Sequence, residues 1–479
     1  MSEPILCHGT PPGDVPHVPV AIVGAGACGL TAALRLKDAG VDALLLERDA
    51  QPRGSTALSS GFVPAPQTRV QRACGVDDSI QRFVQDVRRK AKDTAAPHLV
   101  DAYARAIGPA IDALGERHGI VWELLDGFLY PGHSARRMHA VPERTGEGLM
   151  QRLQAAAQAA GVDMLTEALV RELWVVQDGS VPRITGLGCV RPDGTVERLR
   201  CDALLLACNG FGGNAAMVRE WLPEMREATF GGHVGNDGSA IAWGRALGAR
   251  LADLGGYQGH GSWAVPQGVL ISWALMMEGG VQVNAHGQRF HDETGGYSEA
   301  SVAVLAQPGG IVWNLIDDAL MPLAQTFPDF RAAQAAGACQ RADSVSQLAK
   351  VIGCRTEALE GTLQAVAHSA AHATPDAFGR RFQRALQAPF TAIRVTGALF
   401  HTQGGLDIDA QCRVLDRRGE PLPNLCAAGG AARGVSGNAV WGYLSGNGLL
   451  SAIAGGAIAA DTLSRQLQAR DTTTEETPA

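Results

Sequence analysis

Six residues near the N-terminus carry the first readable chemistry. Gly24-Ala25-Gly26-Ala27-Cys28-Gly29 follows directly on the apolar run Val18-Pro19-Val20-Ala21-Ile22-Val23. Each glycine has its own use: Gly24 permits a tight turn, Gly26 lets backbone approach a pyrophosphate, and Gly29 lets a helix pack closely on a strand. The helix that follows, with Ala27 and Cys28 leading into it, turns unpaired N–H groups at its N-terminus toward phosphate. Glu47, at the end of the next apolar run and followed by Arg48, stands where an acid binds ribose hydroxyls. The chemistry is dinucleotide binding.

The elements that must hold these residues are legible around them. Val18–Val23 reads as a buried strand, Leu30–Ala39 has helical periodicity ending at Gly40, and Ala43–Leu46 is a second strand, which completes a βαβ unit. That fingerprint alone does not separate FAD from NAD. At the other end, Leu425-Cys426-Ala427-Ala428-Gly429-Gly430 is a strand entering a glycine turn. Gly442 to Leu450 then leads into an Ala/Gly-rich helix.

Bulk properties bound the rest. A chain of 479 residues exceeds what one core usually serves, so two domains are expected. Net charge is −7 with no basic stretch, which argues against nucleic acid as a partner. Ten cysteines show no metal or cluster spacing, so reduced thiols in a cytoplasmic protein, without a metal, are expected. The segment before Val18 lacks the regions of a signal peptide, and no apolar run is long enough to span a membrane. Val269–Met277 reads as a buried core segment. The tail, 471–479, is Thr/Glu-rich and is expected to be disordered.

Several further segments fall in a family's order, and the chain resembles the fumarate reductase/succinate dehydrogenase flavoprotein superfamily, which includes ketosteroid dehydrogenases. Gly54-Ser55-Thr56-Ala57-Leu58-Ser59-Ser60-Gly61 resembles the loop under the flavin. Leu204 to Ala207, followed by Cys208-Asn209-Gly210, resembles the strand returning to FAD. Gly235-Asn236-Asp237-Gly238, Gly287 to Glu293, and His401-Thr402-Gln403-Gly404-Gly405 are similar to three more of its motifs. The resemblance implies an α/β fold: a doubly wound, Rossmann-like FAD domain of the glutathione-reductase type with an inserted α+β capping domain. The FAD domain is expected at 16–231 and 390–470 and the cap at 232–389, with substrate between cap and flavin. Cofactor contacts are expected from the glycine fingerprint, Glu47, Arg48, the Ser55–Gly61 loop, Ala207, Asn209, Gly210, Asp237, His401, Gly429, Gly430, Leu444 and Ser445.

Departures from the family carry the functional reading. Ser55 replaces a histidine that bonds covalently to FAD, so the cofactor is expected to be non-covalent. Gly430 replaces a glutamate that contacts the ribityl chain. Tyr297 and Tyr443 fall at two positions where fumarate-type enzymes place substrate arginines, and Phe400 at a substrate histidine. The anionic clamp is gone, so a dicarboxylate is a poor substrate. Tyr297 with Tyr443-Leu444-Ser445 resembles the active-site set of 3-ketosteroid Δ4-dehydrogenases.

Desaturation beside a ketone needs a base for the α-proton, a donor to the developing enolate and an acceptor for the hydride. Tyr443 is expected to polarise the carbonyl, and Tyr297 to take the proton with Ser445 relaying it. Ser445 is equally suited to cap a helix. Trp122, Phe128, Tyr130, Trp273, Phe400 and Trp441, with Trp263, are candidate lining for an apolar slot, and each is also an ordinary core aromatic. The expectation is an FAD-dependent dehydrogenase for a cyclic apolar ketone, using an external electron acceptor. An ene-reductase, or a flavin-binding subunit without chemistry, is the alternative.

Overall fold

The computed structural model describes residues 4–126, 129–179 and 181–475; Phe128 lies outside them. Among these residues, nine strands form the main sheet. Its centre is parallel. His17–Val23 pairs with Ala43–Leu46 on one side and with Val196–Leu206 on the other, and Leu204–Leu206 pair in turn with Leu425–Ala427. Asp163–Leu165 extends the sheet beyond Ala43–Leu46. At their paired C-terminal ends the central strands are continuous apolar runs, Val20–Val23, Ala43–Leu46 and Ala203–Leu206, as parallel strands covered on both faces must be. Val20, Ala21, Ile22, Leu45 and Leu204–Leu206 are essentially without solvent contact.

The helix Ala27–Asp38 follows the glycine turn and lies against the C-terminal helix Asn447–Glu475. A Cβ on Gly456 would stand 2.5 Å from the carbonyl oxygen of Cys28, so glycine is what lets the two helices touch. The C-terminal helix runs on through 471–475, where a disordered tail was expected. Once a helix is nucleated, each added residue costs little, so a polar sequence can follow an apolar one.

The described residues divide into two compact units. One comprises those within 1–221, 232–257 and 401–479; the other is Leu222–Gly231 with Gln258–Phe400. The division departs from the expected boundaries for two reasons. The turn Gly235–Gly238 and the helix Ser239–Leu247 belong to the first unit, where Ala240, Trp243 and Leu247 enter the main core. Residues 390–400 belong to the second, because Phe390–Thr402 pairs there with Ile311–Asp317 and Cys339–Ala342. Within the second unit Ile271, Leu275 and Met276 are fully buried, so the Val269–Met277 run is core.

Candidate functional site

Gly24 has φ +105°, and a Cβ there would stand 2.6 Å from the carbonyl oxygen of Ala207. At Gly29 it would be 1.9 Å from the carbonyl oxygen of Gly24. Neither position admits a side chain. Gly26 meets nothing nearer than Thr56 Oγ1 at 3.7 Å, and no side chain caps the helix that starts after it. Thr56 Oγ1 accepts from the Ala27 N–H at 3.3 Å. Glu47 is buried; its Oε2 accepts from the Ala25 N–H at 2.9 Å and its Oε1 from Asp49 N–H at 3.0 Å. Burial lifts its pKa above the ordinary carboxylate value, against the pull of those two donors.

The remaining expected cofactor residues border the same region of the first unit. Ser55 Oγ accepts from His233 N–H at 3.1 Å and Asn236 Nδ2 at 2.9 Å, tying its loop to the 233–236 turn. Arg48 donates to the Gly235 carbonyl at 2.9 Å and faces Asp237, which Arg171 and Ser239 also engage. Ser59 donates to the Thr56 carbonyl at 2.7 Å and accepts from Gly61 N–H at 3.1 Å, with half-buried Ser60 between. Asn209 has φ +66°, and its Oδ1 accepts from Gly210 N–H at 2.9 Å.

Gly430 has no room for the glutamate that it replaces in the family the chain resembles. Its Cβ would be 2.1 Å from Asn209 Oδ1 and 2.9 Å from His401 Nε2. Burial pushes His401 down to about 4, so the ring is neutral. Tyr443 is buried; a Cβ on Gly448 would stand 3.7 Å from its hydroxyl and 3.9 Å from His401 Nδ1, so both rings flank that glycine. The Ser445 carbonyl accepts from His133 Nε2 at 3.0 Å, and His133 Nδ1 accepts from Arg137 at 3.2 Å. Arg137 is itself held between Asp78 and Asp86. Among the described residues the Ser445 hydroxyl has no hydrogen bond, and the Gly446 carbonyl receives the first helical N–H, from Leu450. Ser445 is therefore not acting as a side-chain cap.

In the second unit an aromatic cluster surrounds His260. Its ring stacks on Tyr297 at 4.9 Å and meets Trp273 and Phe400 edge-on at 5.7 and 6.0 Å, with Trp263 against Phe400 at 5.4 Å. His260 Nδ1 accepts from Ser262 N–H at 3.1 Å, which leaves its proton on Nε2. Burial pushes its pKa down to about 3, so it is a neutral donor. Trp273 spends its indole N–H on the Glu293 carbonyl at 2.9 Å. Arg289 and Arg380 are buried and committed to Glu293, with Asp376 also on Arg289.

The other candidate aromatics among the described residues belong to the first unit. Trp122 is buried in the main core of the first unit, and Tyr130 packs edge-on to Phe62. Trp441 lies under the Lys92 ammonium at 4.4 Å.

The FAD binding domain family matches residues 19–449. The chain belongs to that family. A probable fumarate reductase of Shewanella frigidimarina is 28% identical over 448 residues, covering 93% of this chain and 74% of the relative. The open conformation of a flavocytochrome c3 fumarate reductase superposes with a TM-score of 0.79 at 27% identity, covering 94% of this chain and 78% of that one. The 3-ketosteroid Δ4-(5α)-dehydrogenase of Rhodococcus jostii RHA1 gives 0.74 at 24% identity, covering 94% and 97%, and shares the fold.

As a member of the FAD binding domain family, the protein is an FAD-dependent oxidoreductase of the class acting on CH–CH bonds. That sets aside a subunit without chemistry. Two glycines that refuse side chains, an open face at Gly26 and a fixed carboxylate at Glu47 suit a dinucleotide. No helix among the described residues is long and apolar enough to cross a membrane.

His260 and His133 escaped sequence reasoning. The signal for His260 was its glycine flanks. Cβ atoms on Gly259 and Gly261 would stand 2.1 Å from Ser301 Oγ and 2.8 Å from Ala300 Cβ, so both are needed for the helix Tyr297–Leu305 to approach. His133 contacts a carbonyl 312 positions away, and no local pattern announces that.

Proposed function

We propose that this protein is a dehydrogenase that introduces a C=C bond α,β to the ketone of a cyclic, apolar substrate, a 3-ketosteroid or a smaller cyclic ketone. The carrying observation is the cluster around Tyr297: aromatic faces and a neutral imidazole N–H, with Arg289 and Arg380 already paired to buried carboxylates. Such a set of side chains suits a neutral, apolar ligand and offers a dicarboxylate no free guanidinium of that pair. FAD, bound without a covalent link because Ser55 cannot form one, supplies the two-electron acceptor.

The residues have assigned tasks in this reading. Tyr443 donates its phenol proton to the ketone oxygen as enolate charge develops, and loss of one such donor typically costs about 10²–10³ in kcat. Tyr297 takes the α-proton as it gives up its own phenol proton, which Ser445 is assigned to relay to solvent. His260 Nε2–H is a further neutral donor beside Tyr297. An external acceptor reoxidises the flavin. We place the protein in the cytoplasm, which ten free thiols support.

A second reading keeps the site and reverses the direction. The fumarate reductases at 27–28% identity favour an ene-reductase that saturates an activated double bond.

Anaerobic mixing decides between them. Oxidised holoprotein with a saturated 3-ketosteroid or cyclohexanone-type ketone is expected to lose its visible flavin band while enone appears. If ketones leave the band unchanged while an enone reoxidises the dithionite-reduced protein, the reductase reading holds. Reoxidation by fumarate but by no cyclic enone overturns both substrate assignments.

A further inference from the structure

A line of buried polar side chains ends on His401 and is used by nothing described so far. Asn447, the first residue of the C-terminal helix, donates through Nδ2 to Ser436 Oγ at 2.9 Å. Ser436 Oγ donates to Gln403 Oε1 at 2.8 Å, and Gln403 Nε2 donates to His401 Nδ1 at 2.7 Å. Ser436 and Asn447 are fully buried and Gln403 is 2% exposed, so water cannot substitute for any link.

With the Gln403 and Asn447 amides oriented as they are in the structure, the direction of the line follows from counting protons. An amide NH2 only donates, so His401 Nδ1 must accept from Gln403 and carries no proton. The Gln403 oxygen can only accept, so the single Ser436 proton must be spent on it. Ser436 then has only lone pairs left for Asn447, which supplies an N–H. Every link points toward the histidine. Its one ring proton is left on Nε2, which would stand 2.9 Å from a Cβ on Gly430, in the turn after the strand Pro421–Ala427.

We propose that Asn447, Ser436 and Gln403 are positioning residues that lock His401 in its Nε2–H tautomer, making it a neutral N–H donor to the bound flavin and raising the flavin's reduction potential. The ring stays uncharged because its surroundings hold it far below neutral titration, so the tautomer is the variable that the relay controls. A donor aimed at a group that gains electron density on reduction binds the reduced form better than the oxidised form. This inference rests on FAD binding alone and is independent of which substrate is oxidised.

The test is the midpoint potential of purified holoprotein, measured by dye equilibration without substrate. Ser436→Ala and Gln403→Leu each break the line and are expected to cut the preference for reduced over oxidised FAD about tenfold. On a two-electron couple that lowers the potential by about 30 mV. Ser436→Thr keeps the hydroxyl and is expected to keep the wild-type potential. A preference changed less than twofold in both breaking variants, with FAD still bound one to one, overturns the proposal. Should those variants shed FAD, ¹⁵N-histidine NMR of the wild-type holoprotein reads the tautomer directly. A proton on Nε2 of His401 supports the relay, and a proton on Nδ1 overturns it. Failure of ketone oxidation in the wild type touches neither measurement.

Discussion

Arg137→Met is the sharpest perturbation of the support beneath the Tyr443–Ser445 turn. Arg137 grips Asp78 with two bonds, Nε at 2.9 Å and Nη2 at 2.8 Å, and also engages Asp86. All three side chains are at most 1% exposed. The two carboxylates are not equally dependent on it. Asp86 keeps the Ser134 N–H and hydroxyl, both at 2.8 Å, and a contact with Arg89. Asp78 keeps Gln71 Nε2 at 3.1 Å and Ser79 N–H at 2.9 Å, but no cation. The substitution therefore strands one buried charge rather than two. Stranding one partner of a buried pair costs about 3–5 kcal/mol, and that is the expected loss of stability at neutral pH, read as a shift in urea midpoint.

The pH dependence has a definite sign. Burial pushes Asp78 and Asp86 up, but the Arg137 contacts outweigh it and hold both below the usual carboxylate value. Their contribution is therefore present above the unfolded pKa of about 3.9 and lost as pH falls through the lower folded values. In the variant, Asp78 lacks its cation and takes a proton at higher pH, which relieves the buried charge. The gap between wild type and variant should narrow from about pH 7 to about pH 5. Adding Asp78→Asn to the variant should restore at least half of the loss at neutral pH. A midpoint shift worth under about 1 kcal/mol, or a gap that widens on acidification, refutes the account of this cluster.

Tyr443→Phe is expected to lower kcat by about 10²–10³ with FAD stoichiometry unchanged, by single-turnover flavin reduction; an unchanged rate removes Tyr443 from the chemistry. Gly29→Ala drives a methyl to 1.9 Å from the Gly24 carbonyl and is expected to yield protein without the visible flavin band. Burial pushes His133, His139 and His260 down to about 4, 4 and 3, whereas an unfolded histidine titrates near 6.5. Between those values the unfolded chain binds more protons, so stability rises with pH across that window and is lost on acidification. Unfolding at about pH 5.5 should take up close to three protons from these groups, and about one more from His401, which burial also holds at about 4, measured from the pH dependence of the urea midpoint. An uptake below one refutes their burial as neutral rings.

The nucleotide end of the site was legible because its constraints are local. Gly24 and Gly29 exclude side chains through contacts with Ala207 and with each other's turn, and the βαβ spacing announces that geometry. The unit boundaries were less legible, because the turn Gly235–Gly238 joins the first unit through Arg48 and Ser55, about two hundred positions upstream. His133, Ser436 and Asn447 were not legible at all. Each acts through a partner placed by the fold, and a serine or asparagine in a glycine-rich stretch reads simply as a turn residue.

What the structure adds is a consistent electrostatic character. His260 in the second unit and His401 in the first are neutral rings, and each unit holds buried charges in pairs, Arg289–Glu293 in the second and Arg137–Asp78 in the first. A buried free charge would hold water or a counter-ion and would favour an anionic ligand. In the proposed reaction, neutral hydroxyls and imidazoles would stabilise charge only as it develops on the ketone oxygen, which is the difference that lowers a barrier rather than tightening a ground state. On that argument, replacing Tyr297 or Tyr443 by Arg should move ligand preference toward carboxylates while ketone turnover falls. Weaker binding of both ligand types by both variants would mean that these positions do not face the substrate.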